Sequence, residues 1–251
     1  MPRAIATELT RERFDAVLFD LDGVLTDTAR THAKAWKGMF DEYLEARAAP
    51  TGEPCQPFDI DSDYVRYVDG KPRYDGVRDF LDSRSIGLPE GAPDDPPDRE
   101  TVCGLGNRKN ELVNASIASD GVEAYPGSVA LARQLREAGI RNAVVTSSTN
   151  CQTVLRAAKI EDLFEARVDG NDVRDLGLAG KPAPDAFLEA ARRLGVDPKR
   201  AVVVEDAIVG VQAGRAGGFG LVLGVARKDN AAELSENGAD VVVKDLQEVL
   251  R

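Results

Sequence analysis

Two aspartates stand two residues apart at the end of an apolar run, in Val17-Leu18-Phe19-Asp20-Leu21-Asp22-Gly23-Val24. Ala16 to Phe19 is short, continuous and apolar, which predicts a central strand covered on both faces. Open α/β sheets bind ligands at the carboxyl ends of such strands, where Asp20 and Asp22 fall. Strand periodicity points both carboxylates the same way, and Gly23 permits the backbone to turn. Like charges held this close need a cation or a shared proton. With a magnesium ion, Asp20 stays ionised and can attack a phosphoryl group, while Asp22 exchanges a proton with the leaving or accepting oxygen. The ordinary alternative is an Asp-rich turn after a strand, since Asp and Gly are common turn residues.

Three later stretches bear on that choice. Val144-Val145-Thr146-Ser147-Ser148-Thr149-Asn150 puts hydroxyls after a strand and before a helix, where they can hold phosphate oxygens without adding charge or simply cap the helix. In Gly180-Lys181-Pro182-Ala183-Pro184-Asp185, Lys181 precedes a helix whose start Pro184 and Asp185 suit, although a lone lysine is usually a solvated surface charge. Val202-Val203-Val204-Glu205-Asp206 again ends an apolar run in carboxylates, the hard oxygen ligands that magnesium selects, or else a helix cap.

The pattern from Asp20 to Thr28 resembles the first motif of the haloacid dehalogenase superfamily of phosphatases and phosphomutases. Thr146 resembles the hydroxyl residue of its second motif, the Lys181 context its third, and Glu205-Asp206 its fourth. The resemblance implies a doubly wound, Rossmann-like parallel α/β sheet with an inserted α-helical cap. It makes Asp20 the residue that carries an aspartyl-phosphate and Asp22 the acid/base. Thr146 and Lys181 then stabilise the transferring group. It assigns magnesium to the Asp20 side chain, the Asp22 carbonyl and Asp206, with Glu205 beside them.

A narrower likeness, to the beta-phosphoglucomutase-like family, rests on four stretches: Thr26-Asp27-Thr28 through His32 to Ala35-Trp36-Lys37, Gly70-Lys71-Pro72-Arg73, Arg108-Lys109-Asn110, and Tyr125-Pro126-Gly127. It implies a small phosphorylated sugar as substrate. The expected contacts are His32, Trp36, Arg73, Lys109 and Asn110 in the cap, and Gly23, Ser147, Ser148 and Asn150 in the core motifs. Arg73 matches an arginine that grips the distal phosphate; Trp36 is either packing or a sugar platform. The implied reaction converts beta-glucose 1-phosphate to glucose 6-phosphate through the 1,6-bisphosphate. A sugar-phosphate phosphatase and a non-catalytic phosphosugar-binding protein are the alternatives. Thr149 stands where the mutase has a phosphate-binding lysine, and the cap loops are longer than in that enzyme.

The elements that must hold these residues are legible along the chain. Strands are expected at Ala143 to Thr146, Ala166 to Val168, Ala201 to Glu205, Gly220 to Val225 and Asp240 to Val243, with helices between them, the signature of a parallel sheet. From Ala29 to Ser119 the pattern is helical, with Thr28 as an N-cap. Pro- and Gly-rich loops interrupt it at Ala48 to Pro57 and at Ile86 to Asp98, the latter read as long and exposed. Residues 1–27 and 120–251 are thus expected to form the core domain and 28–119 the cap, with a turn at Tyr125-Pro126-Gly127. The chain has 251 residues and 43% apolar composition, enough for a sizeable core, and a formal charge of -11. That charge disfavours nucleic acid and membrane surfaces as partners. Cys55, Cys103 and Cys151 are odd in number and lack metal-ligand spacing, and Met1 to Arg13 lacks an apolar leader core. Both features fit a reducing cytoplasm.

Overall fold

The computed structural model describes residues 9–250 except 51, 53 and 228, so most of Met1 to Arg13, read as lacking an apolar leader core, lies outside the described residues. The chain forms two compact units, Met1–Asp27 with Val122–Arg251, and Thr28–Gly121. No helix among the described residues is long and apolar enough to cross a membrane.

The shorter unit is helical: α1 (Ala29–Ala48), a π-helical segment (Ile60–Val68), α2 (Arg73–Ser83) and α3 (Val102–Asp120). Its core is an aromatic cluster. Phe40 stacks on Trp36 at 5.4 Å and on Phe58 at 5.2 Å, and meets Phe80 at 4.1 Å. Each fully buried ring contributes about 1.5–3 kcal/mol, and each aromatic contact about 0.5–1.5 kcal/mol more. Thr28 occupies the N-cap position of α1 but makes no side-chain cap bond. Thr101 does the work expected of a cap, accepting from the Gly104 N–H at 2.9 Å.

The stretch read as an exposed loop has no helix or strand between Ile86 and Thr101 and is mostly exposed, but it is anchored at Asp95. Asp95 is buried, and its carboxylate accepts from the Ala92 N–H, the Thr101 hydroxyl and the Arg99 guanidinium at 3.1, 2.7 and 2.6 Å. Gly91, at φ 77, lies so close to Asp95 and Thr101 that a Cβ there would overlap both. Asn107 on α3 then ties the loop down by donating to the carbonyls of Pro93 and Asp95.

The larger unit is a six-stranded parallel sheet. Its strands are β1 (Ala16–Phe19), β2 (Arg141–Val145), β3 (Ala166–Val168), β4 (Ala201–Glu205), β5 (Leu221–Val225) and β6 (Val241–Val243). The spatial order is β3-β2-β1-β4-β5-β6. β1 is central and wholly buried, pairing Phe19 with Val144 on one side and with Val204 on the other. The covering helices are α4 (Pro126–Glu137), α5 (Cys151–Ala157), α6 (Gly170–Asp175), α7 (Asp185–Leu194), α8 (Ile208–Ala216) and α9 (Ala231–Glu236). α7 shows why they cover the sheet: Ala186, Phe187, Ala190, Ala191 and Leu194 form one helical stripe packed on Ala16, Leu18, Val145 and Val203. Pro126-Gly127 is the first turn of α4, because a proline at the first helical position loses no hydrogen bond there. With the order reversing around β1, the carboxyl ends of β1, β2 and β4 form the crevice in which ligands of such sheets bind.

Candidate active site

The ladder carries the acids to that edge. The Asp20 N–H donates to the Val204 carbonyl at 2.9 Å, extending β1 along β4 by one residue. The chain then turns back: the Gly23 N–H donates to Thr26 O at 2.8 Å, and the N–H groups of Leu25 and Thr26 both donate to Leu21 O. Gly23 needs to be glycine twice over. Its φ is 94, and a Cβ there would collide with the Asp206 carboxylate. After β2, the Thr146 hydroxyl accepts from the Ser148 N–H at 3.0 Å and lies 3.4 Å from Asp22 Oδ2. Ser147 lies between Thr146 and Ser148, and the Ser148 hydroxyl accepts from the Asn150 N–H, so these hydroxyls shape the loop; Asn150 makes no side-chain cap bond to α5.

Lys181 enters from the segment before α7, where the Asp185 carboxylate accepts from the Ala179 N–H and closes the turn. Its Nζ is 2.5 Å from Asp20 Oδ1 and 2.5 Å from Glu205 Oε1, and its side chain is 2% exposed. The other Glu205 oxygen accepts from the Ala207 N–H at 2.9 Å, so both oxygens of Glu205 are engaged in orienting its neighbours. Burial disfavours the Lys181 ammonium, but the Asp20 and Glu205 carboxylates outweigh it and hold the lysine protonated well beyond its usual range. Burial pushes the Asp20 carboxyl well above its ordinary value; Lys181 pulls it back, and Glu205, Asp206 and Asp22 push it up again. Of these four carboxylates, Asp20 and Glu205 pair with the Lys181 ammonium. Oxygens of Asp20, Glu205 and Asp206 lie within 4.8 Å of one another, all buried. That donor set is hard, anionic and close enough for one divalent cation, so the residues fit a magnesium ion.

A family model for haloacid dehalogenase-like hydrolases matches residues 14–218. The chain belongs to this family. It is 53% identical over 242 residues to the beta-phosphoglucomutase of Mycobacterium bovis, covering 95% of this chain and 92% of that one. It is 30% identical over 240 residues to hexitol phosphatase A of Escherichia coli, covering 94% of each. Among solved structures, CbbY from Rhodobacter sphaeroides in complex with phosphate is 26% identical with a TM-score of 0.69, over 94% of this chain and 96% of that one. The protein is accordingly an enzyme of the phosphomutase and phosphatase kind within the haloacid dehalogenase-like family.

Within Thr28–Gly121, three of the residues expected to bind substrate come together. Lys109 is buried, with Nζ 2.8 Å from His32 Nδ1 and 4.8 Å from the centre of the Trp36 ring. Trp36 is 3% exposed and stacked on Phe40, within the aromatic cluster of this unit. Arg73 opens α2, with its guanidinium 5.1 Å from the centre of the Tyr74 ring. Asn110 lies on α3 one residue beyond Lys109. Sequence reasoning passed over two side chains that touch the acidic loops. Arg227 donates to the Gly23 carbonyl and Asn230 to the Asp206 carbonyl. The available signal was position: both follow the apolar run of β5, beside β4, at the carboxyl edge of the sheet.

Proposed function

We propose that the protein transfers phosphoryl groups through an aspartyl-phosphate on Asp20, and that it interconverts beta-glucose 1-phosphate and glucose 6-phosphate through the 1,6-bisphosphate. The observation that carries the chemistry is Lys181, buried between Asp20 and Glu205 at 2.5 Å from each. A buried cation there holds Asp20 toward its ionised, nucleophilic form and offsets charge on an incoming phosphoryl group. The 53% identity to a beta-phosphoglucomutase over 95% of the chain supports the substrate pair.

In this mechanism an Asp20 oxygen attacks phosphorus of a sugar bisphosphate, and Asp22 delivers a proton to the departing oxygen. Asp22 then takes the proton from the 6-hydroxyl of beta-glucose 1-phosphate as that oxygen removes the phosphoryl group from Asp20. The bisphosphate so formed reloads Asp20 through its 1-phosphate and leaves glucose 6-phosphate. Thr146, with Ser147, Ser148 and Asn150 in the same loop, offers hydroxyl and amide donors to the phosphoryl oxygens. Magnesium held by Asp20, Asp206 and the Asp22 carbonyl, with Glu205 adjoining, would supply charge neutralisation of the transferring group. Residues 28–119 act as a cap whose Arg73, Lys109 and Asn110 recognise the sugar phosphate.

The hexitol phosphatase likeness supports a second reading, in which water clears Asp20; Thr149, in place of a phosphate-binding lysine, also weighs that way. One experiment separates them. Purified protein is given magnesium and beta-glucose 1-phosphate with a trace of the 1,6-bisphosphate, and glucose 6-phosphate and free phosphate are followed in parallel. Glucose 6-phosphate with little phosphate is expected; phosphate release without isomerisation refutes the mutase. Undiminished turnover in Asp20→Ala refutes the aspartyl-phosphate.

A further inference from the structure

The segment joining β5 to α9 reaches both acidic loops. Arg227 donates from Nε to the Gly23 carbonyl at 2.8 Å and from Nη1 to the Asp245 carboxylate at 2.8 Å. Its guanidinium carbon lies 3.5 Å from the centre of the Tyr125 ring, and Tyr125 in turn donates to Asp27 at 2.9 Å. Three residues on, Asn230 Nδ2 donates to the Asp206 carbonyl at 3.3 Å. The family match ends at residue 218, so both side chains lie beyond it.

The two contacts converge on one geometry. Gly23 has no side chain, and the Asp206 carboxylate rests where a Cβ would stand. Wherever the Gly23 backbone sits, Asp206 must follow. Arg227 fixes that backbone by its carbonyl, and Asn230 fixes the backbone of Asp206 itself. Arg227 is suited to the task because its planar fork donates in two directions at once while its face packs on Tyr125, so it is held from three sides with 15% of its side chain exposed.

We infer that Arg227 and Asn230 are positioning residues for the divalent-cation ligands, setting Asp206 against Gly23 and the Asp20 loop through two backbone carbonyls. The inference rests on the proposed magnesium-dependent phosphoryl transfer. Groups that orient a metal ligand change metal affinity by about 10–100-fold when removed.

The test uses the full chain, stripped of metal, in wild-type, Arg227→Met, Arg227→Lys and Asn230→Ala forms. Calorimetry measures magnesium binding directly, and melting is followed in chelator and in magnesium. In Arg227→Met the magnesium dissociation constant is expected to rise about tenfold or more, and in Asn230→Ala by a smaller factor in the same direction. Arg227→Lys, which can reach only one of the two partners at a time, recovers part of the loss. The apparent magnesium constant in turnover rises by the same factor, while KM for the sugar phosphate at saturating magnesium stays near wild type. Magnesium constants within about twofold of wild type in both Arg227→Met and Asn230→Ala overturn the inference. So does a fall in the melting temperature in chelator with the magnesium-induced rise unchanged, which marks a purely structural role. A wild-type protein that binds no magnesium and turns over undiminished in chelator defeats the proposed function itself, a different result from either.

Discussion

Replacing Lys181 with methionine removes the ammonium that bridges Asp20 and Glu205 but keeps the aliphatic chain beside Phe187, whose ring centre is 5.1 Å from Nζ. Removing one partner of a buried ion pair costs about 3–5 kcal/mol. Here the cost has a ceiling, because a stranded carboxylate can take up a proton instead. Protonating a carboxyl whose ordinary value is 3.8 costs about 4 kcal/mol at pH 7 and about 2 kcal/mol at pH 5. The share of the Lys181→Met destabilisation that comes from Asp20 is therefore bounded by roughly those two figures at the two pH values. The sign follows from the direction of the Asp20 shift. A carboxyl raised in the folded state holds a proton that the unfolded state has released, so stability is lost as pH climbs from 3.8 through the folded value. In the native protein Lys181 opposes that loss; in the variant this opposition is gone. Urea unfolding of both proteins in chelator at pH 5, 6, 7 and 8 should show a stability gap that widens with pH. A gap that is flat across the range, or absent, would refute the electrostatic account of this site. Turnover in the variant should fall by at least about 100-fold, since a charge aimed at the transferring group is lost.

Gly23→Ala should fold with unchanged circular dichroism yet need far more magnesium for half-maximal turnover, because the φ of 94 costs a side chain about 1–2 kcal/mol and the new methyl displaces Asp206; wild-type magnesium dependence would contradict this. The three cysteines are free thiols, and burial pushes Cys103 and Cys151 up while Cys55 is half-buried. Only thiolates react, so Ellman's reagent at pH 8 should titrate one fast thiol in the native protein and three in guanidinium; two fast native thiols would be the wrong answer. Asp95→Ala removes the acceptor shared by Ala92, Arg99 and Thr101, and limited proteolysis should then cut within residues 86–101 much faster than in wild type. Equal cleavage rates would mean that the loop is held by something else.

The parts of the fold that were readable are those whose cause is local. Short stretches rich in β-branched and small residues announced every strand, and β1, β3 and β4 have the bounds expected from the sequence. The four chemical motifs were readable for the same reason, since each sits at the end of such a run or the start of a helix. Where local signals compete, they misled. Proline before glycine marks a turn as readily as the start of a helix, and at Pro126 the helix won. α6 is six residues with no buried face, so no apolar period betrays it; what holds its start is the reciprocal capping of Asp169 and Asp172. The 86–101 segment has the composition of an exposed loop, and what anchors it, through the buried Asp95 carboxylate and the Asn107 amide, is contact between residues apart in the chain.

Arg227 marks a deeper limit. Its partner is the carbonyl of Gly23, 204 residues earlier in the chain. A carbonyl carries no side-chain identity, so no spacing or motif at Gly23 reveals that something holds it, and Arg227 viewed alone is one more surface charge. The acids and the lysine are visible in sequence because the chemistry needs those residue types. Their placement depends on backbone groups that any residue possesses. A chain could therefore keep Asp20, Asp22, Lys181 and Asp206 and still lose the site, by changing a residue such as Arg227 or Asn230 that no motif contains.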